Sequence, residues 1–272
     1  MINKFKKIGL LLIFFVSIYT FIYYQNNYLD VINYEIINSK IPVSFNGFKI
    51  IQISDYHNTT NEMLNKSVKE QIKDIKPNLI MITGDLIDST YTNVNQAISL
   101  IDSIKEVAPI YFVTGNHETW SEQYHDLYKE LIKREVNVLN NEKESIYQKD
   151  DYINILGVED SETIIDLREN LKGVEKDKDI FKILLSHRPE HFEEYVKLDL
   201  DLVLTGHAHG GQIRILNQGL VAPNQGVFPK YTSGVITKDN TTMIISRGIG
   251  NSVIPIRINN HPELVVITLK NK

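Results

Sequence analysis

The chain contains no cysteine among its 272 residues. Disulfide bonds, thiolate nucleophiles and zinc sites with cysteine ligands are therefore excluded. The absence does not identify a compartment, because cysteine-free chains suit both oxidising and reducing surroundings. Internal repeats and low-complexity tracts are also missing. Hydrophobic residues make up 42% of the chain, which is enough for a globular body with a sizeable core.

The chain also lacks an excess of positive charge. The formal net charge is −5, and it becomes −8 when the three lysines of the amino-terminal tail, Lys4, Lys6 and Lys7, are set aside. A broad nucleic-acid-binding face needs an excess of lysine and arginine that can neutralise phosphates. We therefore expect no nucleic-acid partner.

One long apolar run is present near the amino terminus. Residues Ile8 to Tyr24 form 17 consecutive positions without a charge, directly after the three lysines. A helix of this length covers about 26 Å, close to the roughly 30 Å hydrocarbon core of a bilayer. We interpret the run as a single membrane anchor, with a cleaved signal peptide and a buried core helix as the alternatives. A small-x-small cleavage site does not follow the run.

Lysines in front of a membrane helix favour the cytoplasmic side. We therefore predict a single-pass protein of the cell membrane, with everything after Asn26 on the outer face. The predicted parts are a cytoplasmic tail and anchor at residues 1–29, a membrane-proximal segment at residues 30–47 and a main domain at residues 48–272.

The main domain alternates short apolar runs with helical patterns, which indicates an α/β fold. The first predicted elements are a strand at residues 48–54, a helix at 64–75, a strand at 79–83, a helix at 94–105 and a strand at 110–114. About 30 residues separate successive strands, as a strand–helix–strand crossover requires. Two later runs, residues 241–245 and 264–269, are expected to form strands of a second sheet.

Five motifs with metal-ligand or acid/base residues directly follow apolar strands. They are Asp55-Tyr56-His57, Gly84–Asp88, Gly115–Glu118, Ser186-His187 and Gly206–Gly211. In open α/β sheets, binding sites assemble at the carboxyl ends of the strands. Three aspartates, one asparagine and five histidines at this edge can hold two divalent cations side by side. This is the chemistry of metal-assisted hydrolysis.

The motifs resemble those of the calcineurin-like metallophosphoesterase superfamily, whose pattern is Asp-x-His, Gly-Asp-x-x-Asp, Gly-Asn-His-Asp/Glu, a later His and Gly-His-x-His. The resemblance runs from about Phe48 to the carboxyl terminus, with all five blocks in order. Three stretches, Gly206–Gln212, Tyr231–Gly234 and Ser246–Ser252, are similar to the membrane-associated bacterial branch of small phosphodiesterases. The resemblance implies a four-layer α/β sandwich of two mixed β-sheets flanked by helices.

The resemblance also implies roles for individual residues. Asp85 would bridge two metal ions. The other ligands would be Asp55, His57 and His209 for the first metal, and Asn116, His187 and His207 for the second. Nitrogen and oxygen ligands suit two divalent ions from among Mn, Fe, Zn and Co. A water shared by the two metals would attack phosphorus in line.

His117 resembles the family's histidine that is not a ligand, and it would protonate the leaving oxygen or stabilise the charge that develops there. Asp88 would hold the tautomer of His117, or would cap a turn instead. Arg188, Arg214 and Arg247 are candidates to bind a phosphate oxygen, with structural pairing as the alternative.

Other residues near the motifs receive no chemical role. Glu118 follows His117 and is assigned no chemistry, and Tyr56 is predicted to pack in the core. Trp120, Tyr124 and Tyr128 recur four residues apart, which predicts one packed face of a helix.

We predict a metal-dependent enzyme that hydrolyses a phosphodiester or pyrophosphate bond, with its catalytic domain on the extracytoplasmic side. The substrate is expected to be associated with the membrane or envelope, and lipid-linked phosphate esters are among the candidates. Phosphomonoester hydrolysis and a catalytically silent metal-binding module are the alternatives. A metallopeptidase would need His-Glu-x-x-His and a β-lactamase-like enzyme His-x-His-x-Asp-His, and neither string is in the chain.

Overall fold

A computed structural model of the protein describes residues 2–172, 179–251 and 255–272. Ser252, quoted in one of the family-like stretches, lies outside the described residues. Two six-stranded mixed sheets form the centre of the body, and helices cover their outer faces. The four-layer α/β sandwich predicted from the sequence is confirmed.

The first sheet takes strands from both ends of the chain. Its order is β1 (Asp30–Asn38), β16 (Glu263–Asn271), β2 (Lys49–Ile53), β3 (Leu79–Thr83), β4 (Ile110–Val113) and β5 (Asn137–Val138). Strands β2 to β5 are parallel, whereas β16 runs antiparallel to β2 and parallel to β1. The ends of β2, β3 and β4 and the beginnings of β1 and β16 therefore share one edge, which we call the site edge.

The second sheet packs against the first. Its order is β14 (Gly234–Lys238), β15 (Thr241–Ile245), β9 (Leu202–Thr205), β8 (Lys182–Leu185), β7 (Asp151–Gly157) and β6 (Glu142–Gln148). The four inner strands are parallel, and the two outer strands are antiparallel to their neighbours. The predicted strand at residues 241–245 is confirmed in this sheet.

Residues 264–269 form a strand as predicted, but the prediction that this strand enters the second sheet is wrong. Strand β16 lies in the first sheet, between β1 and β2. Val265 and Ile267 face the core between the sheets, whereas Leu264 and Val266 face the helical layer. An apolar run that is buried on both faces fits the interior of either sheet, so hydrophobicity alone does not assign it.

Helices cover both sheets and complete the layers. Helices α2 (Glu62–Ile75), α3 (Val94–Ile104) and α5 (Tyr124–Ile132) pack on the first sheet, and α6 (Ile164–Asn170) and α7 (Phe192–Lys197) pack on the second. A short helix, α4 (Asn116–Trp120), directly follows β4. The chain between β9 and β14 forms two hairpins, β10 (Arg214–Ile215) with β11 (Gln218–Gly219) and β12 (Val221–Ala222) with β13 (Gly226–Val227).

Helix α1 (Ile2–Asn27) stands apart from the body. Its candidate membrane span, Lys4–Asn27, has none of its apolar window buried, which does not fit a buried core helix. By length and composition alone, the helix can cross a membrane. The segment after it, predicted as a membrane-proximal connection, contains β1 and so extends the first sheet. Because β1 runs antiparallel to β2, α1 joins the body at the site edge.

Candidate metal centre

The seven side chains predicted as metal ligands lie together, buried, at the site edge. They are Asp55, His57, Asp85, Asn116, His187, His207 and His209. The first two follow β2, and the next two follow β3 and β4. The last three follow β8 and β9 of the second sheet. The site therefore lies where the parallel strands of the two sheets end side by side.

The loops that carry these residues bend sharply. Five of the seven have φ angles between 45° and 65°, namely Asp55, His57, Asp85, His207 and His209. Residues other than glycine seldom adopt this left-handed region, and such strain persists mainly at functional sites. Space is also tight, because a Cβ atom on Gly115 would lie 2.3 Å from Oδ1 of Asp85. The backbone thus forces the carboxylate and imidazole groups inward.

One group of potential ligands consists of Asp55, His57, Asp85 and His209, whose ligand atoms all lie within 4.8 Å of one another. Nε2 of His57 and Nε2 of His209 are 3.1 Å apart. Nε2 of His209 is also 3.3 Å from Oδ1 of Asp55. Nδ1 of His57 is buried without a hydrogen-bond partner. Buried nitrogen and oxygen lone pairs that converge in this way need a proton or a cation between them.

A second group consists of Asp85, His187 and His207. Nδ1 of His187 lies 2.8 Å from the carbonyl oxygen of Thr83 and donates to it, so a neutral ring keeps a lone pair on Nε2. That Nε2 is 3.1 Å from Oδ2 of Asp85 and 3.2 Å from Nδ1 of His207. It is also 3.2 Å from Oδ1 of Asn116. Three other potential ligand atoms therefore lie 3.1–3.2 Å from Nε2 of His187.

These residues fit divalent metal ions. The two groups share Asp85, and each contains pairs of ligand atoms that are 3.1–3.3 Å apart. Such spacings suit ligands that surround one cation at about 2.0–2.2 Å. Carboxylate oxygen, amide oxygen and imidazole nitrogen are ligands that first-row transition metals accept.

The protonation preferences of the site show the same need for positive charge. Burial opposes a charge on His187, but the neighbouring Asp85 and then Asp55 raise its pKa to about 10. Burial lowers the pKa of His207 well below its usual value, and the charge on His187 lowers it further. Burial also raises the pKa of Asp55 to about 6. A cation bound here would therefore displace the proton that these carboxylates favour on His187.

His117 lies beside the first group, with its ring centroid 4.5 Å from that of His57. The backbone N–H of Ser89 donates to Nδ1 of His117 at 2.9 Å, so the neutral ring carries its proton on Nε2. Oδ1 of Asp88 accepts from the backbone N–H of Thr90 at 2.8 Å, which is the turn role left open from the sequence. Oδ2 of Asp88 lies 3.7 Å from Nδ1 of His117. The amide of Ser89 therefore fixes the tautomer.

Glu118 supports the centre, although no chemistry was assigned to it from the sequence. Its carboxylate is fully buried, and Oε2 accepts from the backbone N–H of Asp85 at 2.7 Å and of Gly115 at 2.8 Å. Oε1 accepts from the backbone N–H of Ile87 at 3.0 Å. Burial, followed by the charge of Asp85, raises its pKa to about 8. Its place three residues after Gly115 at a helix start is a capping-box position, a signal that the sequence does contain.

The three arginines considered for phosphate binding all have structural partners. Arg188 forms a bidentate pair with Asp160 at 2.7 and 2.8 Å. Arg247 pairs with two carboxylates, and Arg214 donates to two backbone carbonyls. The structural alternative is therefore confirmed for each of them.

A fourth arginine, Arg257, is missed by the motif patterns and lies next to the ligands. It is fully buried, and Nη2 lies 3.5 Å from Nδ1 of His209. Its guanidinium donates to the carbonyl oxygens of Arg247 at 2.8 Å and Gly250 at 2.6 Å. Its backbone N–H donates to Oδ1 of Asn26 in α1 at 3.0 Å. The last turn of α1 thus contacts a residue that contacts a predicted ligand.

The predicted single face of Trp120, Tyr124 and Tyr128 is wrong. Trp120 ends α4, and α5 begins at Tyr124 after a break at residues 121–123. Trp120 is 59% exposed, and its ring centroid is 5.6 Å from that of His117. Tyr56 is buried in the core, as predicted.

Residues 48–211 match the model of a known family, described as calcineurin-like phosphoesterase. The chain belongs to this family. It is 30% identical over 266 residues to the uncharacterized metallophosphoesterase YkuE of Bacillus subtilis (strain 168), over 92% of this chain and 88% of that protein. The family predicted from the five motifs is confirmed, and the protein is a metal-dependent hydrolase of this family.

This calcineurin-like phosphoesterase is also similar to a second relative in sequence and to a solved structure in fold. The chain is 26% identical over 255 residues to a transmembrane protein with metallophosphoesterase domain from Danio rerio, over 88% of this chain and 57% of that protein. The crystal structure of TT1561 of Thermus thermophilus superposes with a TM-score of 0.50 at 13% identity, over 74% of this chain and 89% of that chain. The second likeness shows a shared fold.

Proposed function

We propose that the protein is a dinuclear-metal phosphoesterase that hydrolyses a phosphodiester or pyrophosphate bond. The pair of buried ligand groups that share Asp85 carries this proposal. The residues that would hold the two ions are Asp55, His57 and His209 on one side, Asn116, His187 and His207 on the other, and Asp85 between them. Divalent cations at these positions would supply the Lewis acidity that acidifies a water and stabilises charge on the phosphoryl oxygens.

His117 supplies the proton for the leaving group. Because the amide of Ser89 occupies Nδ1, the proton on Nε2 is the one available for transfer to the leaving oxygen. Glu118 ties the loop after β3 to the start of α4, so Asp85 and Asn116 keep a fixed separation.

We also propose that α1 anchors the protein in the cell membrane, with the catalytic body on the extracytoplasmic side. Three observations support this placement: the exposed apolar span, the lysines that precede it, and the likeness to a relative named as a transmembrane protein. An anchored site meets phosphate esters of the membrane or envelope, including lipid-linked ones, at high local concentration.

The test uses the full chain in detergent, stripped of metal and then loaded with Mn, Fe, Zn or Co. Hydrolysis of p-nitrophenyl phosphate and of its bis ester is measured in parallel. Metal should restore turnover in the native chain and in Asp102→Asn, which changes an exposed aspartate of α3, but not in Asp85→Asn.

The two esters separate the candidate activities. Faster turnover of the bis ester supports a diesterase, whereas faster turnover of the monoester would replace it with a phosphomonoesterase. A folded, metal-loaded chain that hydrolyses neither ester with any of the four metals would contradict the proposal and favour a silent metal-binding module.

A further inference from the structure

Two hairpins at the site edge carry a cluster of exposed apolar side chains. We call this cluster the hairpin patch, and its members are Ile215, Leu216, Val221, Val227 and Phe228. They are 55%, 97%, 48%, 69% and 67% exposed, respectively. A single exposed apolar side chain is ordinary, but five large ones within 14 residues form the kind of surface that marks contact with a protein or a membrane.

Two exposed residues of the patch, Leu216 and Phe228, also have positive φ angles, which bulky side chains disfavour. Leu216 and Asn217 form the two-residue turn between β10 and β11, with φ angles of 50° and 67°. This turn type favours asparagine and glycine, because bulky side chains are strained at positive φ. Leu216 has a strained backbone conformation, and its side chain makes almost no contact with the body. Phe228 repeats the combination, with φ of 53°. Neither Leu216 nor Phe228 gains packing contacts within the body that would offset the strain of its positive φ angle.

The patch is linked to both the metal centre and α1. Strand β10 begins at Arg214, five residues after the predicted ligand His209. The backbone N–H of Arg214 donates to the carbonyl oxygen of Ile258 at 3.0 Å. The preceding residue, Arg257, donates its N–H to Asn26 in the last turn of α1. The segment Arg257-Ile258 therefore bonds to the first hairpin on one side and to the end of the proposed anchor on the other.

Other exposed apolar side chains flank the same edge. Met63, at the start of α2, is 51% exposed, and its Sδ lies 4.0 Å from the hydroxyl of Tyr23 in α1. Trp120 is 59% exposed beside His117. Aromatic residues are enriched where a protein meets the interface of a bilayer. The apolar exposure thus extends around the centre from the end of α1.

We propose that the hairpin patch inserts into the same bilayer that α1 crosses, and so holds the site edge against the membrane surface. This inference rests on the proposed membrane anchoring and deepens the proposed function. Because α1 joins the body at the site edge, the bilayer and the metal centre lie on one side of the molecule. The substrate is then a phosphate ester presented at the lipid–water interface, such as the headgroup of an amphiphile in that leaflet.

The absence of native cysteine makes the test direct. Leu216→Cys and Phe228→Cys, each in the full chain, are labelled with an environment-sensitive fluorophore and reconstituted in phosphatidylcholine–phosphatidylglycerol vesicles. Val43→Cys is the matched control, because Val43 is 68% exposed and follows the end of β1 at the opposite edge of the sheet. The hairpin labels should emit at shorter wavelength and lose most of their emission to spin-labelled lipids. Iodide in solution should quench only the Val43→Cys label.

Two results would overturn the inference. Iodide quenching of both hairpin labels to the same degree as the control would place the patch in water. Emission at shorter wavelength without quenching by lipid would indicate a protein contact, such as a second copy of the chain.

Hydrolysis of the bis ester by the same labelled preparations separates this inference from the proposed function. None of the three labelled positions belongs to the metal centre, so metal-dependent turnover should persist in each. Turnover with labels exposed to water would refute the membrane contact alone. Labels quenched by lipid without turnover would refute the phosphoesterase alone.

Discussion

His117 takes its chemical form from a backbone amide rather than from a carboxylate. The N–H of Ser89 donates to Nδ1, so the neutral ring carries its proton on Nε2. Asp88 contributes a turn and a negative charge nearby. In the proposed proton donor, a backbone amide therefore bonds Nδ1 at 2.9 Å, while Oδ2 of Asp88 lies 3.7 Å from it.

Substitution of His117 should reveal the acid role through the leaving group. For an alkyl phosphodiester, His117→Ala should lower kcat about 10²–10⁴-fold, because an alkoxide must be protonated as it leaves. For the bis p-nitrophenyl ester the loss should be much smaller, since p-nitrophenolate leaves as a stable anion. The metal content should not change. An equal loss for esters of every leaving-group pKa would contradict proton donation.

Glu118 should matter for stability as well as for metal binding. Glu118→Gln keeps the shape but places an amide NH₂ where one carboxylate oxygen accepts from the backbone. At least one of the three buried N–H groups then loses its acceptor, which costs about 1–3 kcal/mol. We expect a clearly lower free energy of unfolding in urea and weaker binding of the added metal. Glu122→Gln, an exposed neighbour, is the control and should match the native chain. A native urea midpoint for Glu118→Gln would contradict the supporting role.

At this scale the sequence predicts residues that carry their own chemical signature. Asp55, His57 and Asp85 are recognisable because a ligand-type side chain directly follows an apolar strand. The amide of Ser89 has no such signature, because every residue except proline has a backbone N–H. Arg257 becomes relevant only when the fold brings it beside His209.

Among the secondary-structure elements, those whose apolar residues recur with one clear spacing could be predicted. Helix α2 buries Leu64, Val68 and Ile72 at helical spacing and begins at the capping residue Asn61, so its pattern and its start agree. Strand β16 is apolar on both faces, and that pattern does not say which sheet it enters. The break between α4 and α5 is hidden in the sequence, because aromatic residues four apart imitate one continuous helix.

The last turn of α1 should contribute to the stability of the body. Asn26→Ala removes the acceptor for the backbone N–H of Arg257, which should lower the free energy of unfolding by about 0.5–1.5 kcal/mol. Thr20→Ala is the control, because the Thr20 hydroxyl bonds only within α1. Urea denaturation of both variants in the same detergent measures the difference. Equal midpoints would show that α1 is tethered to the body without supporting it.

For the molecule as a whole, the lysines before α1 predict its orientation. Tyr147→Cys, at a 66% exposed position on the edge strand β6, should react with a membrane-impermeant maleimide in intact cells. Asn3→Cys in the tail should react only after the cells are made permeable. The chain has no other cysteine, so each signal has one source. The reverse pattern would place the body in the cytoplasm and contradict the proposed side.

The place of β16 in the first sheet has a consequence for the time at which the protein becomes active. β16 separates β1 from β2, yet it is synthesised after every other strand. A growing chain therefore contains α1 long before its first sheet can close, and contacts so distant in sequence form slowly. The loops after β2, β3 and β4 gain their fixed positions only when that late strand arrives. The predicted ligands can then capture metal only after β16 has been synthesised and has paired with β1 and β2.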